Sequence, residues 1–156
     1  MARKSQQPYL PYCDFAVADP AQIWPPDHRV VPVAIHGVVD PDGDAITLMI
    51  TGITQDEPVR GLGAGNSAPD GFGVGGQTAF IRAERAGKGN GRVYAISFRA
   101  RDGKGRECTG TVKTSVPHDH RINTVPIDDG QRYDSTAPKE GRRHGASWRI
   151  GKRIGK

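Results

Sequence analysis

Between Val31 and Val116, apolar and polar side chains alternate in short runs, and glycine- and aspartate-rich turn signals interrupt the runs every eight to twenty residues. A period of two places successive side chains on opposite faces of a sheet, so each run has one apolar face to bury. Val31, Val33, Ile35 and Gly37 share one face, with Pro32, Ala34 and His36 opposite. Ile46, Leu48 and Ile50 alternate with Thr47, Met49 and Thr51, and Ala79, Ile81 and Ala83 alternate with Phe80, Arg82 and Glu84. Tyr94, Ile96, Phe98 and Ala100 form the clearest strand, and Cys108, Gly110, Val112, Thr114 and Val116 close the series. Asp40-Pro41-Asp42-Gly43-Asp44, Gly87-Lys88-Gly89-Asn90-Gly91 and Asp102-Gly103-Lys104-Gly105 are the turns between them. No stretch keeps the i, i+3, i+4, i+7 spacing of an amphipathic helix over three turns. The pattern predicts an all-β chain: an immunoglobulin-like antiparallel β-sandwich of about seven to nine short strands, with little helix.

The alternation covers only part of the chain. At 156 residues there is room for one domain plus appendages. We expect an N-terminal arm over 1–12, the sandwich over 13–120, an extended segment over 121–137 and a basic C-terminal tail over 138–156. Residues 61–76 form a glycine-rich stretch without periodicity, of a length that is often functional or mobile. The net charge of +5 is unevenly spread. The tail holds seven Lys/Arg and one Glu; the remainder holds fifteen Lys/Arg and sixteen Asp/Glu. A nearly neutral body gives no electrostatic reason to expect nucleic acid there. In the tail, Arg142, Arg143, Trp148, Arg149, Ile150, Lys152, Arg153 and Ile154 mix cations with apolar anchors. Such a segment suits an acidic patch on a neighbouring subunit, nucleic-acid phosphates, an anionic lipid surface, or no partner at all. No run reaches the ~18 apolar residues that would span a bilayer. Met1-Ala2-Arg3-Lys4 is a basic start without an apolar core after it, so no secretory signal is expected in the chain as written. Cys13 and Cys108 suit either two separate thiols or one disulfide. The disulfide would contribute up to roughly 4–5 kcal/mol in the chain-entropy model and imply an oxidising location.

Several motifs occur in a recognisable order. These are Ile23-Trp24-Pro25-Pro26-Asp27-His28 with Val31-Pro32-Val33, Asp40-Pro41-Asp42-Gly43-Asp44, Gln55-Asp56-Glu57-Pro58-Val59 and Arg82-Ala83-Glu84-Arg85. Gly89-Asn90-Gly91-Arg92-Val93-Tyr94, Asp102-Gly103-Lys104-Gly105 and Val116-Pro117-His118-Asp119 follow. Over roughly residues 13–136 the series resembles an extracellular bacterial Ig-like or cadherin-like β-sandwich module. The resemblance implies a sandwich without catalytic residues, placed in secreted or surface proteins as a spacer or as a carbohydrate- or protein-contacting unit. It also implies a Cys13–Cys108 bond.

For chemistry, the sequence offers one main candidate. Asp40, Asp42 and Asp44 put three carboxylates on one turn, and calcium takes six to eight oxygens from such loops. Glu57, Glu84 and Asp102 are expected to complete the shell, since in cadherin-like folds carboxylates from several loops converge. The same turn also suits a plain hydrated loop whose Asp side chains cap backbone amides. His118-Asp119-His120 supplies too few ligands for zinc. Glu84, Arg85 and Arg92 are expected to form a structural ion-pair network, and Trp24 suits a lid on the core or, second, a sugar platform. No Gly-x-Ser-x-Gly elbow occurs, and the glycine-rich stretch fits neither dinucleotide nor Walker spacing, so no enzyme is expected. The expected function is a structural or adhesion module, a surface or virion assembly subunit whose arms contact neighbours by self-association or by binding another structural protein. The alternatives are a calcium-stabilised carbohydrate- or protein-binding module of a secreted protein, and a binder of nucleic acid or an anionic surface through its tail; an acidic polymer or a glycan is a further candidate partner. The expected location is extracellular, at the cell surface or in a virion.

Overall fold

Val33 and Ile35 are buried while Pro32 and His36 are exposed, so the alternation over 31–35 becomes a strand with one face on the core. The computed structural model describes residues 9–59, 67–121 and 124–138. Eight strands appear among the described residues: β1 (Val17–Asp19), β2 (Val30–His36), β3 (Thr47–Gln55), β4 (Gly71–Phe72), β5 (Ala79–Arg82), β6 (Arg92–Arg101), β7 (Glu107–Val116) and β8 (Tyr133–Asp134). They form two four-stranded antiparallel sheets, β1-β2-β5-β4 and β7-β6-β3-β8. The chain is all-β, and no described helix is long and apolar enough to cross a membrane.

The sheets share one core. The first contributes Val33, Ile35, Ala79 and Ile81; the second contributes Ile50, Ile53, Tyr94, Ile96, Phe98, Val112 and Val116. Burying each aliphatic side chain of this size contributes about 1.5–3 kcal/mol before entropy is counted. Ile23 seals one side: its N–H donates to the Ser115 carbonyl (2.8 Å), and Gln22 bridges Ser115 in parallel. Gly110 faces Phe98 across the β6–β7 ladder, where a Cβ would sit 2.8 Å from the Phe98 ring. The large aromatic is admitted because its partner has no side chain.

Two details depart from simple alternation. On β3 the buried isoleucines are Ile50 and Ile53, three positions apart, because a bulge falls between Ile50 and Gly52. Ile50 pairs with Phe98 and Gly52 with Ser97, so Thr51 is the extra residue and the inward parity is reset beyond it. The strand accordingly continues to Gln55 instead of ending at Thr51. The second departure is β8. The sandwich was expected to end near 120, yet Tyr133 and Asp134 pair with Gln55 and Thr54. Ser135 is fully buried; its carbonyl accepts from the N–H groups of Asp70 (2.8 Å) and Gly71 (2.9 Å), and its N–H donates to Ile53. The segment thus supplies the edge of the second sheet. Within the glycine-rich stretch, Gly71 and Phe72 pair with β5 as the edge of the first.

Candidate functional site

The antiparallel pairing of β3 with β6 brings two turns together at one end of the second sheet. Thr47 at the start of β3 pairs with Arg101 at the end of β6, so the turn before β3 and the turn after β6 are neighbours. The first turn closes with Gly43 at φ 79°, its N–H donating to the Asp40 carbonyl at 2.9 Å. Asp40 Oδ1 accepts from the Asp42 N–H at 2.7 Å. In the second turn Asp102 Oδ1 accepts from the N–H groups of Lys104 (2.7 Å) and Arg106 (3.1 Å). One carboxylate oxygen each from Asp40, Asp44 and Asp102 lies within 4.8 Å of the others. Oδ2 of all three is buried without a hydrogen-bond partner, and Asp102 as a residue is only 4% exposed. The cation beside them is Lys104, whose exposed ammonium pairs with Asp44 Oδ1 at 2.9 Å. That hydrogen bond, and then the Asp44 charge, raise the Lys104 pKa.

Of the residues expected to complete this shell, Asp42, Glu57 and Glu84 do not join it. Asp42 Oδ2 accepts instead from the Tyr9 N–H at 2.7 Å. Glu57 and Glu84 lie at the other end of β6, ten residues or about 30 Å along the strand. There they surround Arg92, which is fully buried. Arg92 Nε meets Glu57 Oε1 at 2.8 Å, and Nη1 meets Asp70 Oδ2 at 2.9 Å, the Tyr94 hydroxyl at 3.1 Å and Glu84 Oε1 at 3.9 Å. Gln55 Nε2 donates to Asp70 Oδ2 (3.0 Å), Arg82 Nε stands 3.7 Å from Asp70 Oδ1, and His28 Nδ1 is 2.9 Å from Glu84 Oε2. Burial, and then the Asp70 charge, push the Glu84 carboxyl up to about 7. Burial also raises the Tyr94 phenol. The expected network of Glu84 and Arg92 is therefore present but larger, and Arg85 is not part of it: its guanidinium donates to the Pro117 and His118 carbonyls. Asp70, Gln55 and Arg82 were not anticipated. Arg92 was within reach of the sequence, since positions 92, 94, 96, 98 and 100 share one strand face and the last four are apolar.

The two histidines at 118 and 120 diverge. His118 Nε2 contacts the Gly87 carbonyl at 3.0 Å, while the His120 ring stacks on Trp24 with centroids 5.1 Å apart. Trp24 is half-buried under that ring. Among the described residues, Asp40, Asp44 and Asp102 form the one group of three metal-ligating side chains whose ligand atoms all lie within 4.8 Å of one another.

A third feature lies beside the acidic turn. The Tyr12 N–H donates to the Val39 carbonyl (2.7 Å) and the Val39 N–H returns the bond (3.3 Å). Cys13 is bonded to Cys108 on β7, Cα to Cα 6.0 Å. Gly37, at φ 94°, lets the backbone of Phe15 pass so close that a Cβ would strike its carbonyl. On this fixed arm Tyr9, Leu10, Tyr12 and Phe15 are exposed, Phe15 by 67%, with Val17 and Val39 beside them. The Tyr12 and Phe15 rings lie 5.5 Å apart. The tail residues Arg142, Arg143, Trp148, Arg149, Ile150, Lys152, Arg153 and Ile154 lie outside the described residues.

Comparison with family models, with curated proteins and with solved structures finds no match for the chain.

Proposed function

We propose that the chain is a non-catalytic structural or adhesion module of immunoglobulin-like type that presents its N-terminal arm to a neighbouring copy of itself. The observation that carries this reading is the arm. Tyr9, Leu10, Tyr12 and Phe15 point large apolar side chains into solvent from a backbone fixed by the Cys13–Cys108 bond and the Tyr12–Val39 pairing. Exposed apolar side chains grouped on a rigid backbone are the usual mark of a contact surface, and rigidity lowers the entropy lost on association. The disulfide favours an oxidising setting such as the cell surface, a virion or the extracellular space. The ordered series of motifs from Trp24-Pro25-Pro26 to Val116-Pro117-His118-Asp119 supports the same family of modules.

Light scattering across a concentration series tests it. The wild-type chain should associate, and a Tyr12→Ser/Phe15→Ser variant should remain monomeric with an unchanged melting temperature, because both rings are exposed. Equal behaviour of the two proteins would overturn the reading. A second reading, a calcium-stabilised carbohydrate- or protein-binding module, is favoured by the convergence of Asp40, Asp44 and Asp102.

A further inference from the structure

We infer that Asp40, Asp44 and Asp102 form a divalent-cation site, selective for calcium, that ties the turn before β3 to the turn after β6. It supplies the stabilising ion of the second reading above, but cation binding here needs no partner and stands apart from assembly through the arm.

Three carboxylates with oxygens within 4.8 Å of one another repel unless something positive lies between them. One oxygen of each already accepts a hydrogen bond: Asp40 Oδ1 from the Asp42 N–H and Asp102 Oδ1 from two backbone N–H groups, each within its own turn, and Asp44 Oδ1 from Lys104 Nζ on the other turn. The other oxygen of each is withdrawn from solvent and has no donor. A buried polar atom without a partner is costly, and a charged one more so. Asp102 is the sharpest case, because at 4% exposure it cannot turn its second oxygen to bulk water. Lys104 does not close the set: its ammonium sits on the outer oxygen of Asp44 and is itself exposed.

The donor set identifies the ion. Asp40, Asp44 and Asp102 offer hard, anionic oxygens, with no nitrogen or sulfur among them, which disfavours zinc and copper. They come from two separate turns instead of one rigid cage. Calcium accepts irregular oxygen shells at about 2.3–2.6 Å, with water filling the remaining positions, whereas magnesium demands near-octahedral geometry at about 2.0–2.1 Å. Asp42 stays outside the shell, held by the Tyr9 N–H.

The test is the melting temperature of the full chain in chelator, in millimolar calcium and in magnesium at equal ionic strength. Affinity is expected at about 0.1–1 mM, in the range of extracellular modules. Saturating calcium should raise the melting temperature by about 5 °C, and magnesium should raise it far less. Asp102→Asn retains an Oδ1 acceptor for the two turn amides and so should fold, but should lose the calcium response. Lys104→Met removes the competing ammonium and should bind calcium more tightly than wild type. No calcium shift in the cooperatively unfolding wild type, an equal shift with magnesium, or an undiminished shift in Asp102→Asn would each overturn the inference.

Discussion

The two ends of the second sheet gather carboxylates in opposite ways. At the β6 N-terminus, Glu57, Asp70 and Glu84 close around Arg92, whose guanidinium is buried with them and reaches each within 3.9 Å. At the other end Asp40, Asp44 and Asp102 bring one oxygen each within 4.8 Å of the others, each has a buried Oδ2 without a hydrogen-bond partner, and the neighbouring Lys104 stays at the surface. The first cluster carries its own cation and works as a structural brace between the sheets. The second has the anions of such a brace, but the ammonium paired with it, on Lys104, is exposed. Acidic residues alone do not distinguish a site from a brace; the presence of an internal cation does.

The largest expected effect breaks the brace. Arg92→Met would leave three carboxylates buried around an uncharged side chain and should cost about 3–5 kcal/mol in urea unfolding. A loss under about 1 kcal/mol would show that the cluster is not held by the guanidinium. The disulfide comes next and acts at the acidic end, tying the arm to β7. Its two cysteines are 95 positions apart, so a Cys13→Ser/Cys108→Ser variant should lose about 4 kcal/mol relative to the oxidised chain. Identical unfolding midpoints with and without reductant would contradict this.

A smaller effect sharpens the contrast by pH. Glu84, pushed up from 4.5 to about 7, holds its proton more tightly when folded. Its contribution to stability is therefore complete below about pH 4.5 and is lost as pH rises through 7. Glu84→Gln cannot ionise, so it should gain on the order of 1–3 kcal/mol over wild type at pH 8 and nothing at pH 4. A stability difference that does not change with pH would remove Glu84 as the titrating group. The smallest effect is at Arg101, whose pair with Glu107 (3.0 Å) is exposed on both sides. Arg101→Ala should change unfolding free energy by about 0.5 kcal/mol or less.

Much of the fold was readable from residue order, and the reasons are local. Val33, Ile35, Ile81, Ile96 and Phe98 fall at alternate positions of their strands, and each lies in the core. The bulge at Thr51 was not readable, because a parity reset shows only once β6 is laid beside β3. Tyr133–Asp134 is too short to show any period. The acidic turn and Asp102 were both noticed, yet Glu57 and Glu84 were grouped with them. Sequence identifies carboxylates but not the end of a ten-residue strand on which each falls. Asp70 had no signal at all: it reaches Arg92 because β4 pairs with β5 and Ser135 anchors its amide.

The most direct test of the contrast is a calcium titration followed by backbone amide NMR on the full chain. The amides of Asp42, Gly43, Lys104 and Arg106, in the two turns that hold Asp40, Asp44 and Asp102, should shift with a single affinity. Those of Glu57, Asp70, Glu84 and Arg92 should stay where they are. Absence of movement at the acidic turns, or larger movement around Glu57 and Glu84, would contradict the account.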